Sequence, residues 1–408
     1  MTPADPEKGY SITPMRILHI VTAFPRTSDD VITPWLVQLL QRLRAKGLEV
    51  EVFTSAYQGA GDQVIDGIPV HRFRYFFRRW ENLTHEESAP DRMKRSLLYR
   101  LMPAAFVLAG MVAIWRLVRR RHYDVIHVHW PFPLALFGWA AQRARPAPVV
   151  TTFYGVELRW VKTTLTPFKR FLKWAARRSA RVTAISSYTA AELKELVDVP
   201  VDVIPYGAAL PSPAVRAAAR SPDAPSTVLF VGRLVERKGV AHLIEALARL
   251  RQSSRARLVV VGDGPERPRL EALARSRGLG DRVTFRGKIS DADLQQAYRD
   301  TDVLVLPSVV DARGDTEGLG VVLLEAMGYG VPVIASRIGG IVDIVTDGES
   351  GLLVTPGDAG ALASALERVL DDAELARTLG ERGRQRLVEQ FGWDAIVRRW
   401  DAIYRSVR

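Results

Sequence analysis

Residues 315–330 read Asp315-Thr316-Glu317-Gly318-Leu319-Gly320-Val321-Val322-Leu323-Leu324-Glu325-Ala326-Met327-Gly328-Tyr329-Gly330. They follow a hydrophobic run, Val303-Leu304-Val305-Leu306, closed by Pro307. Such a run predicts a buried parallel strand, so the whole stretch reads as strand, glycine loop and helix start. Gly318 and Gly320 let backbone come close to a ligand, and the free N–H groups of the first helical turn make an anion site. Glu317 falls in the loop and Glu325 about a turn into the helix. Neither carboxylate favours a phosphate, but both accept hydrogen bonds from hydroxyls. An anion cradle between two carboxylates describes a ligand made of a sugar, a phosphate and another sugar.

Outward from this stretch, strands and helices alternate on both sides. A strand at 228–231 runs into Gly232-Arg233-Leu234-Val235-Glu236-Arg237-Lys238-Gly239. Arg233 and Lys238 at a helix entry can neutralise a diphosphate, while Arg237 is expected in solvent. Val259-Val260-Val261-Gly262-Asp263-Gly264-Pro265 is a strand and a glycine turn with proline at the first helical position. A strand at 283–285 leads into Arg286-Gly287-Lys288-Ile289, and 331–335, Gly339-Gly340 and 352–354 continue the pattern. Residues 208–226, rich in proline, alanine and serine, mark a boundary. Before it, 17–21 and 49–54 read as strands around a helix at 34–46, and 124–129 is a strand followed by a helix at 131–143. The strand 148–152 enters Phe153-Tyr154-Gly155-Val156-Glu157, and Ser186-Ser187 caps a helix after the strand 181–185.

The Glu317 and Glu325 pair, preceded by the Gly232–Gly239 run, resembles the paired-glutamate signature of retaining GT-B glycosyltransferases of the group 1 or family 4 type. The resemblance extends from about Met15 onward. It implies two Rossmann-like, doubly wound α/β domains facing a central cleft. These would be an acceptor domain at 15–207, a linker at 208–226 and a nucleotide-sugar domain at 227–392, with a helix at 393–408 returning to the first domain. The implied reaction moves a hexosyl group from a nucleotide diphosphate sugar, UDP- or GDP-linked, to a hydroxyl, with the anomeric configuration retained. Glu317 would hold the sugar, Arg233 and Lys238 the pyrophosphate, and Glu325 the ribose. Gly232, Gly264, Lys288, Ile289, Gly318, Leu319, Gly320 and Val321 would complete the donor site. No cofactor and no metal are expected, since the cations and the helix dipole already serve the phosphates.

Two positions depart from the family pattern. The loop Thr22-Ala23-Phe24-Pro25-Arg26-Thr27-Ser28 lacks the paired glycines that many members place near the donor phosphates. Tyr154 stands where relatives commonly carry a histidine, which leaves sugar positioning in place and removes a histidine-based proton step. On the acceptor side stand His129, Tyr154 and Glu157. As a bland alternative, Glu157 is an exposed loop acid.

Composition narrows the partners. The 408 residues carry no cysteine, so disulfide and thiolate chemistry are excluded, and a net charge of +12 favours anionic partners. Residues 72–121 hold 12 Lys and Arg against 4 Asp and Glu, a net +8. There Phe73-Arg74-Tyr75-Phe76-Phe77-Arg78-Arg79-Trp80 interleaves aromatics with arginines, ahead of an apolar helix ending in Arg119-Arg120-Arg121. Its uncharged core at 101–115 contains Pro103 and is shorter than the roughly 20 residues of a bilayer span. The reading is a helix packed on the first sheet, with a basic aromatic edge in peripheral contact with an anionic membrane. No recognition motif supports nucleic acid. His127 and His129 share a strand face, but no third metal ligand is evident. The first 14 residues read as a loose tail and not as a secretory signal, consistent with a cytoplasmic protein at the inner membrane face. Asp311-Ala312-Arg313-Gly314-Asp315, before Thr316, resembles the same stretch of relatives that build bacterial surface polysaccharides, which with the basic aromatic edge points to a glycan or lipid-linked acceptor. Alternatives are a small soluble acceptor, a glycosyl phosphorylase on the same fold, and a non-enzymatic membrane-surface protein.

Overall fold

A computed structural model describes residues 14–30, 32–83, 97–163, 165–211, 225–251, 255–312 and 314–408. The expected N-terminal tail up to residue 13, residues 84–96, most of the linker and Arg313 lie outside them. Backbone contacts gather the chain into two compact units. One comprises Met1–Phe153, Pro167–Thr183 and Trp400–Arg408; the other comprises Tyr154–Thr166 and Ala184–Arg399.

The first sheet has eight strands: β1 (Arg16–Ile20), β2 (Glu49–Ser55), β3 (Gln63–Ile65), β4 (Ile68–Phe73), β5 (Val125–His129), β6 (Val149–Phe153), β7 (Arg181–Ala184) and β8 (Asp202–Val203). Their spatial order is β3-β4-β2-β1-β5-β6-β7-β8. The hairpin of β3 and β4 is antiparallel and went unread in the sequence, although its turn, Asp66-Gly67, carries the signal. Both residues have positive φ, 48° and 79°, as a tight hairpin turn with right-handed strand twist requires. The second sheet is all parallel: β9 (Thr227–Val231), β10 (Arg257–Val261), β11 (Val283–Gly287), β12 (Val303–Leu306), β13 (Val333–Ser336) and β14 (Leu352–Val354), ordered β11-β10-β9-β12-β13-β14. Numbered from β9, that is 3-2-1-4-5-6, the doubly wound dinucleotide-fold order. Both halves are therefore Rossmann-like, and the strand order reverses between β9 and β12. Ligands in open α/β sheets bind outside the carboxyl ends of strands at such a reversal.

The helix Leu97–Arg120 lies in the first unit. Met102, Phe106, Ile114 and Val118 recur every fourth or eighth residue and are buried in its core. A Cβ on Gly110 would come within 2.2 Å of the Phe137 ring, so glycine lets the neighbouring helix Pro131–Ala144 approach. By length and composition this is one helix, among the described residues, apolar enough to cross a bilayer. Its buried face is already occupied by protein. Part of the basic segment is internal too. The buried Arg72 guanidinium donates to the carbonyls of Phe24, Pro25 and Ser55, and Arg74 pairs with the fully buried Glu81.

Candidate active site

The site is assembled in the second unit where the loops after β9 and β12 meet. After β9 the chain makes a single tight turn, Glu236–Lys238, and reverses at Gly239, φ 67°. After β12 it passes Pro307 and Ser308, traverses the Asp315–Gly320 loop and enters the helix Val321–Gly328. Adjacent strands bring the two loops together, and Lys238 Nζ donates to Glu317 Oε2 at 2.5 Å. Ser308 Oγ reaches the same oxygen at 3.5 Å.

Arg237, expected in solvent, is drawn into this cluster. Its guanidinium lies 3.5 Å from Asp315 and 4.0 Å from Glu317, because two carboxylates flank the turn and attract it. Asp315 also pairs with Arg159 at 2.8 Å. Arg159 was not singled out in the sequence; only its place one turn beyond Gly155 could have flagged it. The result is a row of cations, Arg159, Arg237 and Lys238, held against Asp315 and Glu317. Arg233 stands nearby in sequence with an exposed side chain.

Glu317 keeps 8% of its surface exposed. Its loop is fixed by glycines that have no room for a side chain. A Cβ on Gly339 would sit 2.0 Å from the Glu317 carbonyl oxygen, and one on Gly340 2.1 Å from that of Gly318. Gly340 N–H donates to the Glu317 carbonyl at 3.1 Å. Gly320 caps the helix at φ 91°, while a Cβ on Gly318 would meet only Ile185, at 3.9 Å. Gly318 is therefore uncrowded, with only ordinary contact to Ile185. Leu319 is buried in the core and anchors the loop, and Val321 is 36% exposed.

Glu325 is half-buried on the helix and accepts a hydrogen bond from the Tyr298 hydroxyl at 2.5 Å. Burial raises its pKa, and the bond to Tyr298 opposes the shift. Tyr298 stacks on Tyr329, ring centroids 5.4 Å apart. It sits in a polar helix, Asp291–Arg299, whose periodicity gave no reason to select it. Gly264 has a packing reason: its missing Cβ leaves room for the Leu234 carbonyl, 2.3 Å away. The same holds for Gly262 against Gly232, at 2.0 Å. Lys288 is exposed, and Ile289 packs partly on the core.

Glu157 is not a loop acid. It lies in the first turn of the helix Val156–Thr163, 2% exposed, and its Oε1 accepts the Tyr154 N–H at 2.7 Å. The carboxylate folds back to satisfy a backbone donor at its own helix start, which is why it is buried. Burial pushes its pKa up to about 7. Tyr154 is buried and stacks on Tyr206, centroids 6.2 Å apart. His129 belongs to the first unit and has no exposed surface, enclosed by His19, His127, Trp35 and Trp130. It is a core residue, not one that lines an open surface.

Two family descriptions match this chain: Glycosyl transferases group 1 over residues 212–386 and Glycosyltransferase Family 4 over residues 35–210. A GDP-mannose-dependent alpha-(1-6)-phosphatidylinositol monomannoside mannosyltransferase of Mycobacterium tuberculosis is 30% identical over 81% of this chain and 89% of its own length. A 2-deoxystreptamine glucosyltransferase of Streptomyces kanamyceticus is 32% identical over 75% of this chain and 86% of its own. Among solved structures, sucrose-phosphate synthase from Thermosynechococcus elongatus is 29% identical with a TM-score of 0.72, covering 96% of this chain and 98% of that one. The Anabaena protein HepE in complex with UDP, 20% identical, shares the fold with a TM-score of 0.71, covering 96% of this chain and 100% of that one.

Proposed function

We propose, from the premise that this chain belongs to the group 1 and family 4 glycosyltransferases and has the GT-B fold, that it transfers a hexosyl group with retention from a nucleoside diphosphate sugar to a hydroxyl of a glycan or lipid-linked acceptor. The observation that carries this reading is the Lys238–Glu317 contact at the reversal of the second sheet. A cation for a phosphate and a carboxylate for sugar hydroxyls stand side by side, next to a helix N-terminus. In the reaction, Arg233, Lys238 and the helix start at Gly320 stabilise the departing diphosphate. Glu317 orients the sugar and Glu325 the ribose. A donor phosphate oxygen takes the proton of the acceptor hydroxyl, with no protein nucleophile and no metal at the diphosphate.

Calorimetry with UDP, GDP and ADP in excess chelator tests the donor site. One nucleotide is expected to bind selectively, and Arg233→Ala to weaken it about 10-fold or more, the loss of one charge-assisted contact. Failure of all three to bind, with magnesium restored, would refute the donor assignment.

A lipid-linked acceptor is supported by the outer face of the helix Leu97–Arg120. Leu101, Leu108, Val112 and Trp115 are exposed along one stripe, continued by Arg119, whose guanidinium lies 4.7 Å from the Trp115 ring. Phe77 is 74% exposed. This face suits peripheral contact with an anionic bilayer at the cytoplasmic side. The protein is expected to sediment with anionic phospholipid vesicles at low salt and not with neutral ones. Leu108→Glu combined with Trp115→Glu should abolish that binding; equal sedimentation of the variant would remove the membrane from this reading. The 2-deoxystreptamine glucosyltransferase favours a second reading, a small soluble acceptor. Full transfer activity without lipid or detergent would support it.

A further inference from the structure

We infer that His19, His127 and His129 form a buried site for a late first-row divalent cation, zinc foremost, supported by Tyr404 from the C-terminal segment. The sequence placed His127 and His129 on one strand face without a third ligand. The fold supplies one from 110 residues before His129. β1 and β5 are parallel neighbours, His19 is in register with His127, and His129 lies two residues on, so all three imidazoles share one face. One nitrogen from each lies within 4.8 Å of the others, and His19 Nδ1 is 3.1 Å from His129 Nε2.

A tetrahedral zinc with bonds of about 2.0–2.1 Å holds its ligand nitrogens roughly 3.4 Å apart. The closest pair is already near that spacing, and the third nitrogen has no more than about 1.4 Å to close. The donor chemistry suits such an ion. All three rings are fully buried, which screens the donors from water. Imidazole binds metal in its neutral form. Three nitrogen donors select zinc, cobalt, nickel or copper over magnesium or calcium. His127 Nδ1 is 2.8 Å from the Tyr404 hydroxyl, the outer contact that commonly orients a metal-bound histidine. That leaves His127 Nε2 to exchange its partner, Thr152 Oγ1 at 2.7 Å, for the ion.

The rival is a neutral hydrogen-bonded network running from Tyr404 through His127 and Thr152 to Thr183. His19 joins this network only through Nδ1, 3.1 Å from His129 Nε2, the contact that the ion would replace.

The test uses untagged full-length protein stripped with chelator, then titrated with Zn²⁺ by calorimetry and with Co²⁺ by visible absorption. Expected are one ion per chain, cobalt bands of a four-coordinate site, and a thermal midpoint raised by about 5–10 °C at hundredfold excess over Kd. His19→Phe should weaken binding at least about 100-fold, while His122→Ala, outside the cluster, should leave it unchanged. Absence of stoichiometric binding by the wild type, or unchanged binding by His19→Phe, overturns the site in favour of the network. Should His19→Phe fail to fold, the wild-type cobalt spectrum decides alone: without four-coordinate bands the proposal falls.

Discussion

Replacing Lys238 by alanine is expected to lower the turnover number about 10²–10³-fold, which corresponds to roughly 3–4 kcal/mol of lost stabilisation of the departing diphosphate. The ammonium stands at the reversal of the sheet and would meet negative charge that grows as the glycosyl bond breaks. An interaction strengthened only in that state acts on kcat more than on donor affinity. The donor's KM should therefore change by less than about tenfold. Glu317→Gln keeps an acceptor for sugar hydroxyls and removes the charge that holds Lys238. It should cost less than Lys238→Ala, and the double variant should cost less than the product of the two, since each residue positions the other. Steady-state release of the nucleoside diphosphate, with thermal midpoints as a folding control, measures this. A Lys238→Ala enzyme within tenfold of wild type would mean that the Lys238–Glu317 pair is merely structural.

The second large effect concerns the backbone that presents Lys238. Gly239→Ala is expected to destabilise the second unit by roughly 2–4 kcal/mol. The position has φ 67°, and a Cβ would lie 1.9 Å from the Pro307 carbonyl oxygen. Left-handed backbone alone costs an alanine about 1 kcal/mol. The collision is with backbone of the loop after β12 and not with a flexible side chain, so one of the two loops must move. That displaces Lys238 from Glu317, and activity should fall even at temperatures where the variant stays folded. Gly280→Ala is the control, because a Cβ there meets nothing within 4 Å and the backbone is not left-handed. Denaturant unfolding of both variants checks the claim; a Gly239→Ala midpoint equal to that of Gly280→Ala would contradict it.

Much of this arrangement was legible before any coordinates. Strand runs of Val, Ile and Leu ending in glycine turns are local signals, because a strand buried on both faces is a nearly continuous apolar run. The doubly wound halves, the loops after β9 and β12 and the helix after Gly320 all follow from them. The hairpin of β3 and β4 also has a local signal, Asp66-Gly67, but β3 is three residues long, too short for a strand period to show. The roles assigned to glycine were harder to separate. Gly264 and Gly262 accommodate a neighbouring loop, whereas a Cβ on Gly318 would make only ordinary contact with Ile185, and a one-letter pattern does not distinguish a backbone that approaches a ligand from one that approaches another backbone.

What the sequence by itself determined is the alternation of strand and helix, the place of each loop at a strand's carboxyl end, and the residue types offered there. These depend on neighbours within a turn or a strand. Tertiary structure alone decided which charges met. It drew Arg237 to Asp315 and Glu317, buried Arg72 beneath three carbonyls, and set His19 against His127 and His129. Each of these outcomes depends on strand order, which places residues far apart in the chain side by side. Charge and burial act through space and not along the chain, so they are settled only once that order exists.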